Sequence, residues 1–183
     1  MNIVLNAEMV DIDSCIKFLD TKRNNIMDGK FTKLLYSDEY ASFNGLYVLC
    51  PLTRINSNSS YKNNFVFYPN ILNNSQIVHQ LVQLEKQLIT FYKQYNTCNK
   101  KHVFSLQTQL NSGIIKIYQD IVKSNSSEKP VINYEKMHTD TKQIGNFGLT
   151  INEKQSFYVI KISGMWETSD TIGITYKFLE MYR

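Results

Sequence analysis

Apolar residues recur along this chain in two rhythms, and the change between them separates short strands from one long helix. Residues 45–50, Gly45-Leu46-Tyr47-Val48-Leu49-Cys50, are apolar throughout, the pattern of a strand buried on both faces. Residues 31–36 read as a weaker strand. Residues 64–68 read as another, which stops at Pro69 because proline has no N–H to give to a ladder. The period then lengthens. Ile77, Leu81, Leu84, Leu88, Phe91 and Tyr95 recur at helical spacing behind Ser75, a residue suited to capping. A helix over 76–95 would be roughly 30 Å long, with Gln80, Gln83, Glu85, Lys86 and Gln87 placed between the apolar positions and able to face water. A stripe of this kind is far more often core than a partner-binding face.

Beyond the helix the two-residue rhythm returns. Residues 102–110 alternate like a half-buried strand, Asn111-Ser112-Gly113 suits a tight turn, and 114–118 returns as a strand. The clearest strands are 156–164 and 172–179. Their simplest pairing turns Tyr158, Ile160, Ile162, Ile174, Tyr176 and Phe178 inward. Polar clusters at 56–60, 70–75 and 124–130 mark loops. Strands, one long helix, then strands describe a single β-rich α+β domain spanning 1–183. The same order is that of an oligonucleotide-binding (OB) Greek-key barrel carrying a helix between strands.

Composition narrows the classes without selecting one. In 183 residues, 43% hydrophobic and 13% aromatic content excludes wholesale disorder. A net charge of +4 permits a polyanionic partner without requiring one. Three widely spaced cysteines, Cys15, Cys50 and Cys98, read as free thiols of a reducing compartment. With no secretory leader or membrane-length apolar run in view, an intracellular protein that is neither secreted nor membrane-bound is expected.

No phosphate-binding glycine loop and no Gly-x-Ser-x-Gly elbow occurs. Cys98 and His102 could supply two zinc ligands, but a structural site needs four, and His79, His138 and Asp140 offer no second close pair. The expectation is a protein without catalytic centre, metal or cofactor.

What remains is a set of cations and flat side chains on strands. Facing away from the inward set are Lys161, Lys177 and Phe157; Lys116 and Tyr118 lie opposite Ile115 and Ile117. Lys100 and Lys101 stand near a strand edge, as do Lys33, Arg54 and Lys62, and Trp166 follows the first of the two clearest strands. Cations that follow a backbone and rings that stack on bases are what binding a single strand requires.

The stretch Ile160-Lys161-Ile162-Ser163-Gly164-Met165-Trp166-Glu167, followed by Gly173-Ile174-Thr175-Tyr176-Lys177-Phe178, resembles the end of single-stranded DNA-binding proteins of large DNA viruses and related replicons. The resemblance covers some twenty residues. It implies an OB fold, coating of exposed DNA during replication, and self-association. The chain departs from many such proteins in ending Leu179-Glu180-Met181-Tyr182-Arg183 rather than in an acidic tail. The alternative expectation is a structural or adaptor protein, such as one of a virion, that assembles through the 75–95 helix or a strand edge.

Overall fold

The computed structural model describes residues 4–24, 28–53, 64–96, 99–118 and 158–180. A 3-10 turn at Ala7–Met9 and a short helix α1, Ile12–Cys15, lead into β1, Ile16–Phe18, and β2, Lys22–Asn24. Then come β3, Gly29–Ser37; β4, Ser42–Asn44; β5, Leu46–Cys50; and β6, Asn64–Val66. The long helix α2, Leu72–Asn96, is followed by β7, Lys101–His102, the helix α3, Ser105–Asn111, and β8, Ile114–Tyr118. The described chain ends with β9, Tyr158–Glu167, and β10, Thr171–Glu180.

These strands form one mixed sheet along the path β1-β3-β9-β10-β8-β6, with β2 and β4 on β3, β5 on β9 and β7 on β10. Among the described residues β1 and β6, the two ends of that path, do not pair, so the sheet is not closed into a barrel. β9 and β10 are antiparallel along their whole length, as the face pattern of the sequence implies. The other edge of β9 is shared: β5 covers Tyr158 to Ile162, and β3 covers Gly164 to Glu167. Gly45 makes this possible. At φ 92° it turns the chain from β4, on β3, into β5, on β9, and a Cβ there would lie 2.7 Å from the Ile162 carbonyl oxygen.

The inner face of the sheet is the core. Leu34, Leu46, Val48, Ile160, Ile162, Met165, Ile172, Ile174 and Phe178 are buried there against Leu81, Leu84, Leu88 and Tyr92 of α2. Tyr158 is buried and Tyr176 packs against the same cluster, so the six inward positions expected for β9 and β10 all point inward. Cys50 is fully buried in β5, and that burial pushes its thiol pKa well up, as suits an inert core residue. No helix among the described residues is long and apolar enough to cross a membrane.

Several elements differ from the sequence expectation. β3 extends over nine residues and links β1, β2 and β4, its neighbours in sequence, to β9, far along the chain. β5 is half-buried rather than buried on both faces: Leu46, Val48 and Cys50 point in, while Tyr47 and Leu49 point out. α2 begins at Leu72, three residues before Ser75, whose hydroxyl donates to the Leu72 carbonyl inside the first turn. Asn74 is fully buried at this end. It accepts from the Thr53 N–H and donates to the Thr53 and Tyr68 carbonyls, tying the end of β5 to the helix.

The largest correction concerns residues 102–110, of which only His102 is strand, at the end of β7, while 105–110 belong to α3. Leu106 and Leu110, four apart, bury on one side of a helical turn. The α3 N-terminus is held by Glu85 of α2, whose carboxylate accepts from the Leu106 and Gln107 N–H groups at 2.9 and 2.8 Å. Glu85 is thus buried at 0% exposure, not placed toward water. Gly113, at φ 70°, turns α3 into β8, which joins β10 in parallel and β6 in antiparallel.

Candidate nucleic-acid interface

The outer face of the sheet depends on a single irregularity. Between β9 and β10 the register shifts: Tyr176 lies opposite Ile162 but Thr175 lies opposite Gly164, leaving Ser163 as an extra residue. An extra residue reverses which face the following side chains take. Without it Trp166 would point into the core and Met165 and Glu167 outward. With it Met165 and Glu167 are buried, and Trp166 shares the outer face with Lys161.

Register then assembles a row of cations. Tyr47 lies opposite Lys161, and Lys161 lies opposite Lys177. In the parallel pairing of β8 with β10, Lys116 and Lys177 each immediately precede the Ile117–Phe178 pair and so stand level. Neighbouring strands are about 4.8 Å apart, so the three lysines of this row fall within roughly 10 Å. The Lys161 ammonium lies 4.9 Å from the centre of the Tyr47 ring, and the Lys116 ammonium 5.2 Å from that of Tyr118. Beyond this row, Lys33 faces outward opposite Gly164.

Two flat rings lie next to the cations. Phe31 and Trp166 are register partners, the Phe31 ring covering Gly164 and the Trp166 ring covering Gly173. The indole N–H donates to the Ile174 carbonyl at 3.1 Å, which fixes the ring on the sheet. Lys101, paired with Thr171, stands on the same face past Trp166. No outward position of the described β3, β5, β8, β9 or β10 residues is acidic.

The expected site residues therefore divide. Lys161, Lys177, Lys116, Tyr118, Trp166 and Lys101 share the outer face. Lys100 does not. Its ammonium binds the Glu167 carboxylate at 2.8 Å and the Thr168 carbonyl at 2.6 Å, inside the fold. Phe157, Arg54, Lys62, Cys98, His138 and Asp140 lie outside the described residues. Tyr47 was not legible as an outward residue, because it stands in a run apolar on either side, and Phe31 shares its outward face with Lys33 on β3. Among the described residues no three His, Cys, Asp or Glu side chains gather as a metal site would require.

Lys100 belongs to a buried polar chain. Thr21 and Thr32 hydroxyls are 2.7 Å apart, Thr32 and Tyr92 hydroxyls 2.6 Å, and Tyr92 donates to Glu167 at 2.6 Å. Burial, aided by the hydrogen bond to Glu167, pushes the Tyr92 pKa up to about 12, so the phenol stays protonated and donating. Burial alone would raise the Glu167 pKa. The hydrogen bonds from Lys100 and Tyr92, with the charges of Lys100 and Lys30, outweigh it and hold the carboxyl below its ordinary 4.5.

A carboxyl whose pKa is lowered by folding stabilises the fold above its unfolded pKa, and the contribution is lost as pH falls through the folded value. Glu167→Gln should therefore lower the melting temperature most at neutral pH, and the deficit should shrink as pH falls below 4.5. Circular dichroism melts over a pH series check this; a deficit constant with pH would mean that the charge of Glu167 contributes nothing.

No family model, no curated protein and no solved structure matches this chain.

Proposed function

We propose that the outer face binds single-stranded nucleic acid, DNA in preference, and that the protein coats exposed strands during replication without catalysing a reaction. The observation that carries this reading is the Lys161–Lys177 pair, extended by Lys116, on a face whose described strand positions carry no acidic side chain. A polyanion lying across the row meets three cations at the spacing of neighbouring strands. Phe31, Tyr47 and Trp166 add rings beside the cations, and each base stacked on an aromatic side chain contributes about 1–3 kcal/mol. The strand–helix–strand order is compatible with an open variant of the OB arrangement, and the C-terminal resemblance favours DNA.

The competing adaptor reading would have to use the exposed parts of α2, such as Leu72 and Tyr95, or the strand edge. Leu81, Leu84 and Leu88, central to the apolar stripe of α2, are buried against the sheet and unavailable to a partner. The strand edge stays available to it.

Trp166 is the single tryptophan, so its emission reports directly on the proposed face. Addition of oligo(dT) should change that emission saturably. Phosphates neutralised at Lys33, Lys116, Lys161 and Lys177 would give a slope of log affinity against log salt near −3, at about −0.7 per phosphate. Absence of binding to any oligonucleotide at low salt would remove the proposal, and saturable self-assembly indifferent to nucleic acid would favour the adaptor.

A further inference from the structure

Past the Phe31–Trp166 pair, the inner side of the sheet opens into a cavity of about 520 Å³ that the outer-face reading does not use. Register sets Arg23 of β2 opposite Lys30 of β3, and Lys30 opposite Glu167 of β9. Lys100 enters from the other side, and the Thr168-Ser169 turn forms part of the wall. Three cations thus surround one buried carboxylate, and that carboxylate is already taken by Lys100 and Tyr92. Asp28 also lines the cavity, as an exposed residue. Among the described residues neither Arg23 nor Lys30 has a carboxylate within ion-pair distance. The floor is rigid, since Glu167 and Lys100 belong to the hydrogen-bonded chain running through Tyr92 and Thr32 to Thr21.

We infer that this cavity is a binding site for a phosphate monoester, held by Arg23 and Lys30 above the Lys100–Glu167 pair. Two opposed cations that make no direct ion pair among the described residues, in a recess of this volume, match a compact dianion. A monoester carries a charge of about −1.5 to −2 at neutral pH, whereas each phosphodiester of a strand interior carries only one. The guanidinium of Arg23 can take two phosphate oxygens at once, and Lys30 supplies a point charge beside it. The same chemistry is offered by a free nucleoside monophosphate and by the phosphorylated end of a strand. The first source does not require the outer face to bind nucleic acid; the second rests on that reading.

The test uses the full chain, with thymidine 5′-monophosphate, inorganic phosphate, and oligo(dT) bearing either a 5′-phosphate or a 5′-hydroxyl. Calorimetry gives affinities, and amide chemical shifts locate binding. The monophosphate should bind saturably and shift the amides of Lys30, Thr168 and Ser169. Arg23→Gln with Lys30→Gln should weaken it by about tenfold or more. Both residues are exposed, and an unchanged melting temperature would certify that the variant is folded.

If strand ends occupy the site, 5′-phosphorylated oligo(dT) binds more tightly than the 5′-hydroxyl form, and the double variant abolishes only that difference. If the monophosphate binds but end phosphorylation adds nothing, the site takes free nucleotide. Failure of 5′-hydroxyl oligo(dT) alone would remove the outer-face reading and leave the cavity standing. No binding of monophosphate or phosphate, with equal affinity for the two oligonucleotides, overturns the inference.

Discussion

Replacing Lys161 and Lys177 together by glutamine should cut affinity for oligo(dT) by about ten- to a hundredfold at low salt and leave the fold intact. The two side chains stand opposite each other on β9 and β10, so each removes one phosphate contact from the middle of the proposed path. For single strands each lost contact lowers the salt slope by about 0.7, so the double variant should lose about 1.4. Stability should change little, since loss of the Lys161–Tyr47 contact costs only about 0.5–1 kcal/mol. Fluorescence titration over a salt series and a thermal melt on the same preparation separate the two effects. Unchanged affinity and slope in a folded variant would show that the strand, if bound, runs elsewhere.

Glu85→Ala is expected to have the largest effect on stability, about 3 kcal/mol, or a melting temperature lower by about 6–12 °C. Its carboxylate is the acceptor for two backbone N–H groups at the start of α3, a helix whose own N-cap residue, Phe104, makes no side-chain capping bond. Each donor left without a partner in a buried site costs about 1–3 kcal/mol, and Leu106 and Leu110 lose the anchor that holds their helix on the core. Part of this is offset, because burial raises the Glu85 pKa above 4.5 against the lowering effect of the Leu106 and Gln107 hydrogen bonds. A raised carboxyl contributes stability below its unfolded pKa and loses it as pH rises through the folded value. The Glu85→Ala deficit should therefore be greatest in acid and smaller at neutral pH, opposite to Glu167→Gln. Denaturant melts at acid and neutral pH measure both; a neutral-pH deficit under about 1 kcal/mol would mean that α3 does not depend on this cap.

The proposed interface was partly visible before any coordinate. Alternation alone separates Lys161 from Ile160 and Ile162, Lys177 from Tyr176 and Phe178, and Lys116 from Ile115 and Ile117, because strand side chains alternate strictly between faces. It fails where the strict period fails. The extra residue at Ser163 reverses parity for Met165, Trp166 and Glu167, and no local pattern announces a bulge of that kind. Tyr47 failed for another reason. An apolar residue in an apolar run carries no sign of its face, and its pairing with Lys161 shows it outward; Phe31, between Lys30 and Thr32, is placed by its pairing with Trp166.

Buried charge was the least legible feature. Glu85 follows Leu84 in a helix that reads as amphipathic, and its position between apolar residues suggests water. Its burial depends on two N–H groups some twenty residues later in the chain. Lys100 reads as a surface cation for the same reason, since its partner Glu167 is far away in sequence.

By itself the sequence determined the α+β class, the presence of one long helix across 76–95, the two long C-terminal strands and the inward set of β9 and β10. Those follow from periodicity, which is local. The tertiary structure alone decided that the sheet stays open, that 105–111 is helix, that Trp166 faces out, and that three lysines align across β8, β9 and β10. Each of these rests on register or on a hydrogen bond between segments distant in the chain, where the energy that selects one arrangement is shared by residues no short window contains.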